Sequence, residues 1–215
     1  GGRYVLPDLP DARYDVWVRG YGLKDSDPVT GRPGDTLDLV ATPAENPREA
    51  AAVYPANYWY SLVEVPPESA FPGTGESGNG ISPGMRTQAN WVDGLKQGCQ
   101  LCHQLGNQAT REILNPANYD STEAAWAHRV QAGQRGALMN GGLRRFGADT
   151  AVAMYANWTD RIMAGEVPPA PPRPEGPERN VVLTMWEWGG PAGYVHDEIA
   201  TDKRNPQVNA GGPVY

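Results

Sequence analysis

The chain contains a Cys-x-x-Cys-His segment, Cys99-Gln100-Leu101-Cys102-His103, and this segment holds both of its cysteines. On a helix, Cys99 and Cys102 lie three residues apart on one face, so their thiols can meet two neighbouring vinyl groups of a porphyrin. His103 follows directly, where its imidazole can reach a central iron from the same side. The pattern is typical of covalent c-type haem attachment. It predicts one haem c per chain, held by these three side chains.

Two other kinds of site also use a Cys-x-x-Cys pair. A thioredoxin-like redox pair follows a strand and opens a helix, whereas this pair ends an amphipathic helical stretch. A structural zinc site usually needs four ligands, but the sequence has no second pair, and its other histidines, His128 and His196, stand apart. The pattern therefore favours haem attachment over both alternatives.

Charge is distributed unevenly along the 215 residues. The formal net charge is −7, yet residues 86–165, which include the haem motif, hold eight basic and six acidic side chains. A nucleic-acid-binding surface needs a clustered basic face, and the sequence has none, so we expect no nucleic-acid partner. No apolar run approaches the ~20 residues of a membrane span, which predicts that the chain has no transmembrane segment of its own.

Helical periodicity dominates residues 85–166. We predict a first helix from about Thr87 into the haem motif. A second begins near Asp120-Ser121-Thr122-Glu123, which has the spacing of a capping box, and a third runs from Ala148 to Ala164. The predicted packing face of the first helix comprises Val92, Leu95, Cys99 and Cys102. The apolar stripe of the third comprises Ala151, Met154, Tyr155, Trp158 and Ile162.

The N-terminal residues 1–42 have the patterns of β-strands. Polar and apolar side chains alternate through Tyr14–Val18, and Tyr4–Leu6 and Leu37–Val40 are further short strand candidates. The spacing Gly2-x-Tyr4-x-Leu6-x-x-Leu9-Pro10-x-x-x-Tyr14-x-Val16 resembles the last strands of carboxypeptidase-regulatory-like domains, which implies part of a transthyretin-like β-sandwich. Because three or four strands leave such a sandwich with exposed edges, we expect a chain cut from a larger polypeptide or strands that dock on something else.

The remaining segments are rich in glycine and proline. Residues 72–84 are predicted to form a surface loop, six prolines within 168–177 predict a stiff extended linker, and Val181–Trp186 is predicted to be a strand. The predicted organisation is a β-rich segment at 1–42, a loop-rich linker with an aromatic cluster at 43–84, a haem domain at 85–166, a proline-rich linker at 167–180 and an extended arm at 181–215.

The helical region resembles class I cytochrome c. In that family the haem motif lies near the end of a first helix, a ligand methionine comes from a later loop, and a last helix carries an aromatic residue. The resemblance places Met139 as the distal iron ligand, in the irregular, glycine-flanked stretch 133–142, and Tyr155 and Trp158 on the last helix. It implies a mainly α cytochrome c domain of three or four helices around haem, with the partial sandwich and irregular arms attached.

The sixth iron ligand has several candidates besides Met139. Met154 is expected to belong to the core and Met163 to pack near a helix end, and neither Met85 nor Met185 has a loop that obviously delivers it to iron. His128 could ligate if the haem were bis-histidine. His/Met ligation suits outer-sphere electron transfer, whereas a vacant position would permit peroxide, oxygen or nitric oxide chemistry.

Together these features predict a bacterial c-type cytochrome that carries single electrons. Because haem c is attached outside the inner membrane, we expect the protein to be periplasmic or secreted, and we do not expect it to be an enzyme by itself. The long arms favour an alternative, a haem-bearing electron-transfer or structural subunit of a larger oxidoreductase or redox complex. The expected partner is a redox protein or such a complex. More loosely, the layout resembles large exported bacterial proteins in which these two domain types precede others.

Overall fold

The computed structural model describes residues 4–6, 9–100, 103–173 and 175–177. Chain contacts divide into two compact units, residues 1–54 with 169–174, and residues 55–168 with 175–215. Residues 55–84, expected to belong to a linker, therefore fall in the same unit as the haem motif. The predicted arm at 181–215, including its strand Val181–Trp186, lies outside the described residues, as does Cys102.

The described residues of the first unit form four short strands and one short helix: β1 (Tyr14–Val16), β2 (Leu23–Lys24), β3 (Val29–Gly31), β4 (Thr42–Pro43) and α1 (Pro47–Ala51). The strands form two separate antiparallel sheets, β1 with β3 and β2 with β4. Half-buried and exposed side chains alternate through Tyr14–Val18, as predicted. Asn46 caps α1 by accepting a hydrogen bond from the Glu49 backbone N–H at 3.0 Å.

Two predicted strands of this unit are not strands. Tyr4–Leu6 and Leu37–Val40 have no ladder partner in the described part of the chain, and the Tyr4 hydroxyl donates to the Leu37 carbonyl at 3.1 Å instead. Their apolar side chains are largely in solvent, with Val5 84% and Val40 76% exposed. Apolar composition makes a strand only where a neighbouring strand can accept its backbone hydrogen bonds, and these segments lack that neighbour.

The second unit is helical. Its described helices are α2 (Ala56–Tyr60), α3 (Gln88–Gln100), α4 (Gln108–Arg111), α5 (Thr122–Arg129), α6 (Gly136–Leu143) and α7 (Ala148–Met163), with 3₁₀ turns at Glu68–Ala70, Pro116–Asn118 and Arg144–Phe146. The three predicted helices correspond to α3, α5 and α7. The capping side chain of α5 is Ser121, one residue later than Asp120, and it accepts from the Ala124 backbone N–H at 3.0 Å.

The core of this unit forms around α7. All five residues of its predicted apolar stripe are buried, and Trp158 is completely inaccessible. The Trp158 indole N–H donates to the Trp59 carbonyl at 2.9 Å, which joins α7 to α2. Helix α3 contributes Trp91 and Leu95, both fully buried, and the Trp91 indole N–H donates to the Phe146 carbonyl at 2.9 Å. Trp91 and Leu95 therefore anchor the helix that carries the haem motif.

The loop at 72–84 is anchored rather than fully exposed. Ile81 is among the most deeply buried side chains of the described residues, at 1% exposure. The Asn79 carboxamide holds the loop by accepting from the Thr74 and Ile81 backbone N–H groups and donating to the Ala70 carbonyl. The rest of the loop agrees with the predicted surface position, since within 72–84 only Gly73 and Ile81 are buried and residues 76–79 are exposed.

Candidate cofactor site

Cys99 lies at the end of α3, and His103 follows that helix. Cys99 belongs to the last turn of the helix, one turn beyond the buried Leu95. The His103 backbone N–H donates to the Cys99 carbonyl at 2.9 Å, which is the i to i−4 hydrogen bond of an α-helix. This hydrogen bond ties the His103 backbone directly to the C-terminal end of α3. The structure thus brings together two of the three predicted attachment residues.

The Cys99 side chain is half-buried beside two tyrosines. Its sulfur lies 3.9 Å from the Tyr155 hydroxyl oxygen. Burial raises the pKa of Tyr155 well above its ordinary value, and burial followed by the neighbouring Cys99 raises the pKa of Tyr60 to about 12. Both phenols consequently remain protonated and neutral through the physiological range. The apolar periodicity of α7 predicts Tyr155 on its packing face, whereas no local pattern connects Tyr60 with the Cys-x-x-Cys-His segment.

An aromatic surface extends from Cys99 across α7 to α5. The ring of Tyr155 stacks on that of Trp126, with centroids 4.7 Å apart and planes inclined by 17°. The Trp126 indole N–H donates to the Thr159 hydroxyl at 2.9 Å, so its polar edge is satisfied inside the protein. Trp158 lies beside Tyr155, with centroids 6.1 Å apart. The Cys99 side chain therefore adjoins a water-poor, mostly apolar group of rings.

His103 is half-buried, and its imidazole tends to be neutral. Burial lowers the pKa of His103, and the nearby positive charge of Arg129 lowers it further. A neutral imidazole keeps the lone pair that a metal ion requires. Next to it, the side-chain Oε1 of Gln104 is buried and accepts no hydrogen bond from the described residues. The site thus holds an imidazole suited to coordination and an amide with unused hydrogen-bonding capacity.

Met139 occupies a helix, not the irregular loop that was predicted. It lies in the middle of α6, half-buried, and its backbone N–H donates to the Arg135 carbonyl at 2.9 Å. The turn that precedes the helix spans residues 133–135 and begins at Gly133, whose φ is 75°. Ala, Leu and Met are strong helix formers, and here they prevail over the glycines. The hydrogen bonds and ring contacts of the described residues do not connect Met139 with Cys99 or His103, so its role as ligand stays a prediction.

The alternative ligand His128 lies on the outer side of α5. Its side chain is exposed, and its Nδ1 lies 3.1 Å from the Tyr119 hydroxyl. Trp126 and Val130, two residues before and after it, are buried on the other side of the helix. The structure therefore directs His128 away from the core that adjoins Cys99.

The remaining methionines of α7 differ from each other. Met154 is 6% exposed, as expected for a core residue, whereas Met163 is 50% exposed and does not pack as expected. Met154 also lines an open groove of about 420 Å³ between α7 and the segment around Pro66. This groove does not include Cys99, His103 or Tyr155 among its lining residues, so it is separate from the attachment site.

Compared with protein-family models, with curated proteins and with solved structures, the chain matches none of them. Within the described ranges, no group of three or more His, Cys, Asp or Glu side chains could hold a metal ion. Nor is any helix in those ranges both long enough and apolar enough to cross a membrane, which agrees with the predicted lack of a transmembrane segment.

The donor set is compatible with a covalently bound haem. A thiol at a helix end, an imidazole that follows it in the chain and an adjoining aromatic surface are groups that such a cofactor uses. The charge of Arg129 near the imidazole and the buried Gln104 amide were not predicted from the sequence. A signal for Arg129 existed, since it follows Trp126 by three residues on a helix and the two side chains can therefore meet.

Proposed function

We propose that this protein is a c-type cytochrome that carries single electrons through one haem. Cys99 and Cys102 anchor the porphyrin by thioether bonds, His103 ligates the iron, and Met139 is the distal ligand. The observation that supports the proposal is the position of Cys99 at the end of α3, with its sulfur beside the Tyr155–Trp126 pair and its carbonyl bonded to the His103 backbone N–H. When bound, haem supplies an iron that cycles between ferrous and ferric states.

The surrounding residues have separate tasks in this proposal. Trp91 and Leu95 fix α3 in the core, so the attachment residues are held on a rigid element. Tyr155 and Trp126 exclude water from one side of the cofactor, and burial of that kind is one means by which a protein adjusts a haem potential. His103, kept neutral by its surroundings, provides the proximal nitrogen.

A second candidate function is that of a haem-bearing subunit in a larger oxidoreductase or redox complex. The first unit favours it, because its two-stranded sheets are too small to be stable alone and leave Val5, Leu6 and Val40 exposed. Exposed apolar residues at unpaired strand-like segments are typical of surfaces that another chain covers. In either function the protein works in the periplasm or outside the cell, with a redox protein as partner.

Covalent haem content tests the proposal directly. The chain is expressed with an export signal in a bacterium that matures c-type cytochromes, and its mass is measured after denaturation and extraction with acidified solvent. We expect one haem to remain on each chain, and the reduced protein to show sharp c-type absorption bands. A chain without haem, or haem that the solvent removes, would refute the proposal. A sedimentation measurement on the same sample distinguishes a monomeric carrier from a subunit of an assembly.

The distal ligand provides a second prediction. We expect Met139→Ala to remove the weak far-red charge-transfer band of an iron–sulfur bond, and to lower the reduction potential by on the order of 100 mV, within the roughly 0.8 V that axial ligands span. Met163→Ala is the matched control, because Met163 is half exposed near the end of α7. A band that persists in Met139→Ala would transfer the role to another side chain.

A further inference from the structure

Arg129 is a half-buried cation held entirely by neutral groups. It is the last residue of α5, and its Nη1 donates to the Thr110 carbonyl at 3.1 Å while its Nη2 donates to the Glu112 carbonyl. The guanidinium lies over the Trp126 ring, with its carbon 4.7 Å from the ring centroid. These three contacts fix the position of the charge without offsetting it.

No carboxylate compensates this charge in the described part of the chain. The ion pairs there involve Arg19, Lys24, Arg32, Arg111 and Arg161, but not Arg129. Burial lowers the pKa of Arg129, yet a guanidinium stays protonated in proteins. A permanent positive charge therefore lies inside the helical unit, where solvent and salt screen it less than at the surface.

The contacts of Arg129 lead directly to the haem motif. Trp126, beneath the guanidinium, stacks on Tyr155, and the Tyr155 hydroxyl lies 3.9 Å from the Cys99 sulfur. Three successive contacts therefore connect the guanidinium with Cys99, one of the proposed attachment residues.

We propose that the fixed positive charge of Arg129 raises the reduction potential of the haem held by His103. This inference rests on the proposed function. Oxidation transfers one electron from ferrous iron to the redox partner and leaves one additional positive charge at the site. A fixed cation nearby disfavours that additional charge, so it stabilises the ferrous state and makes the protein a weaker electron donor.

The test is the midpoint potential of the holoprotein, measured by spectroelectrochemical titration. We expect Arg129→Gln to shift the ferric–ferrous equilibrium at least tenfold toward the ferric state, which corresponds to about 59 mV for one electron. Arg129→Lys, which keeps the charge, is expected to retain a potential closer to that of the wild type. Arg135→Gln is the matched control, because Arg135 is exposed at the start of α6, and we expect a shift of less than threefold.

Ionic strength distinguishes the effect of a buried charge on the midpoint potential from that of a surface charge. Raising ionic strength from 0.1 to 1 M shortens the Debye length from about 10 to about 3 Å, so the Arg129→Gln shift should persist while any Arg135→Gln shift disappears. If Arg129→Gln does not accumulate as folded protein, Arg129→Met replaces it, because methionine keeps an aliphatic side chain over Trp126. We expect the same shift in midpoint potential. The inference is overturned if the midpoint potentials of both neutral variants shift no more than that of the Arg135→Gln control. It is also overturned if the potential of Arg129→Lys is as low as that of Arg129→Gln. A wild type without haem instead refutes the proposed function.

Discussion

A Cys99→Ala, Cys102→Ala double variant is expected to retain no covalently bound haem, compared with one per chain in the wild type. Each thioether needs a thiolate to add to a vinyl group, and the sequence contains no third cysteine. Each single variant is expected to keep one link, and so to retain haem in reduced yield. The measurement is the mass of the denatured chain together with haem-dependent staining after denaturing electrophoresis.

Two controls make the result specific to the thiols. Tyr155→Phe removes the hydroxyl that lies 3.9 Å from the Cys99 sulfur but leaves the aromatic surface, and we expect full covalent attachment. The helix content of the double variant, followed by circular dichroism, shows whether the chain still folds. Attachment of haem to a folded chain that lacks both cysteines would contradict the assignment of the motif.

Local sequence patterns predicted the long helices well. The stripe of α7 is a five-residue apolar pattern of helical period, and each member is buried. The end of α7 was also predictable from Gly165. In the structure this residue adopts a φ of 108°, a backbone conformation that favours glycine. These features depend on residues close together in sequence, which is why periodicity and turn residues were sufficient.

Short elements were harder to predict, because competing local preferences decide them. The glycines around Met139 indicated an irregular loop, yet α6 forms there. Conversely, Tyr4–Leu6 has strand-like composition but no partner strand among the described residues. In α6 the intrinsic helix preference prevails over the glycines, whereas Tyr4–Leu6 lacks the partner strand that it would need. Apolar periodicity predicts neither outcome.

The surroundings of the motif depend on contacts between distant segments. Tyr60, Cys99 and Tyr155 come from three helices, and Arg129 reaches the site through Trp126. A single sequence shows each of these residues as a plausible core or surface residue of its own helix. Only the packing of α2, α3, α5 and α7 makes them neighbours, so the electrostatics of the site could not be derived from the motif.

Trp158→Ala is expected to destabilise the helical unit by about 3–5 kcal/mol, the cost typical of removing a buried aromatic side chain. Trp158 is fully buried, its indole N–H donates to the Trp59 carbonyl at 2.9 Å, and it meets the edge of the Tyr60 ring with centroids 6.3 Å apart. The variant therefore leaves a cavity and also removes the hydrogen bond that joins α7 to α2. Denaturant unfolding followed by circular dichroism measures the change.

Two further variants apportion the loss. Trp158→Phe keeps a ring but removes this hydrogen bond, which we expect to cost about 0.5–1.5 kcal/mol, because the Trp59 carbonyl still accepts from the Leu62 backbone N–H at 3.3 Å. Leu114→Ala is the control for an exposed apolar residue, since Leu114 is 71% exposed, and it should change stability by at most about 0.5 kcal/mol. Equal effects of Trp158→Ala and Leu114→Ala would mean that α7 does not depend on this contact. Because Tyr60 and Tyr155 flank Cys99 from the two helices that Trp158 joins, we expect the same contact to support the surroundings of the Cys-x-x-Cys-His segment.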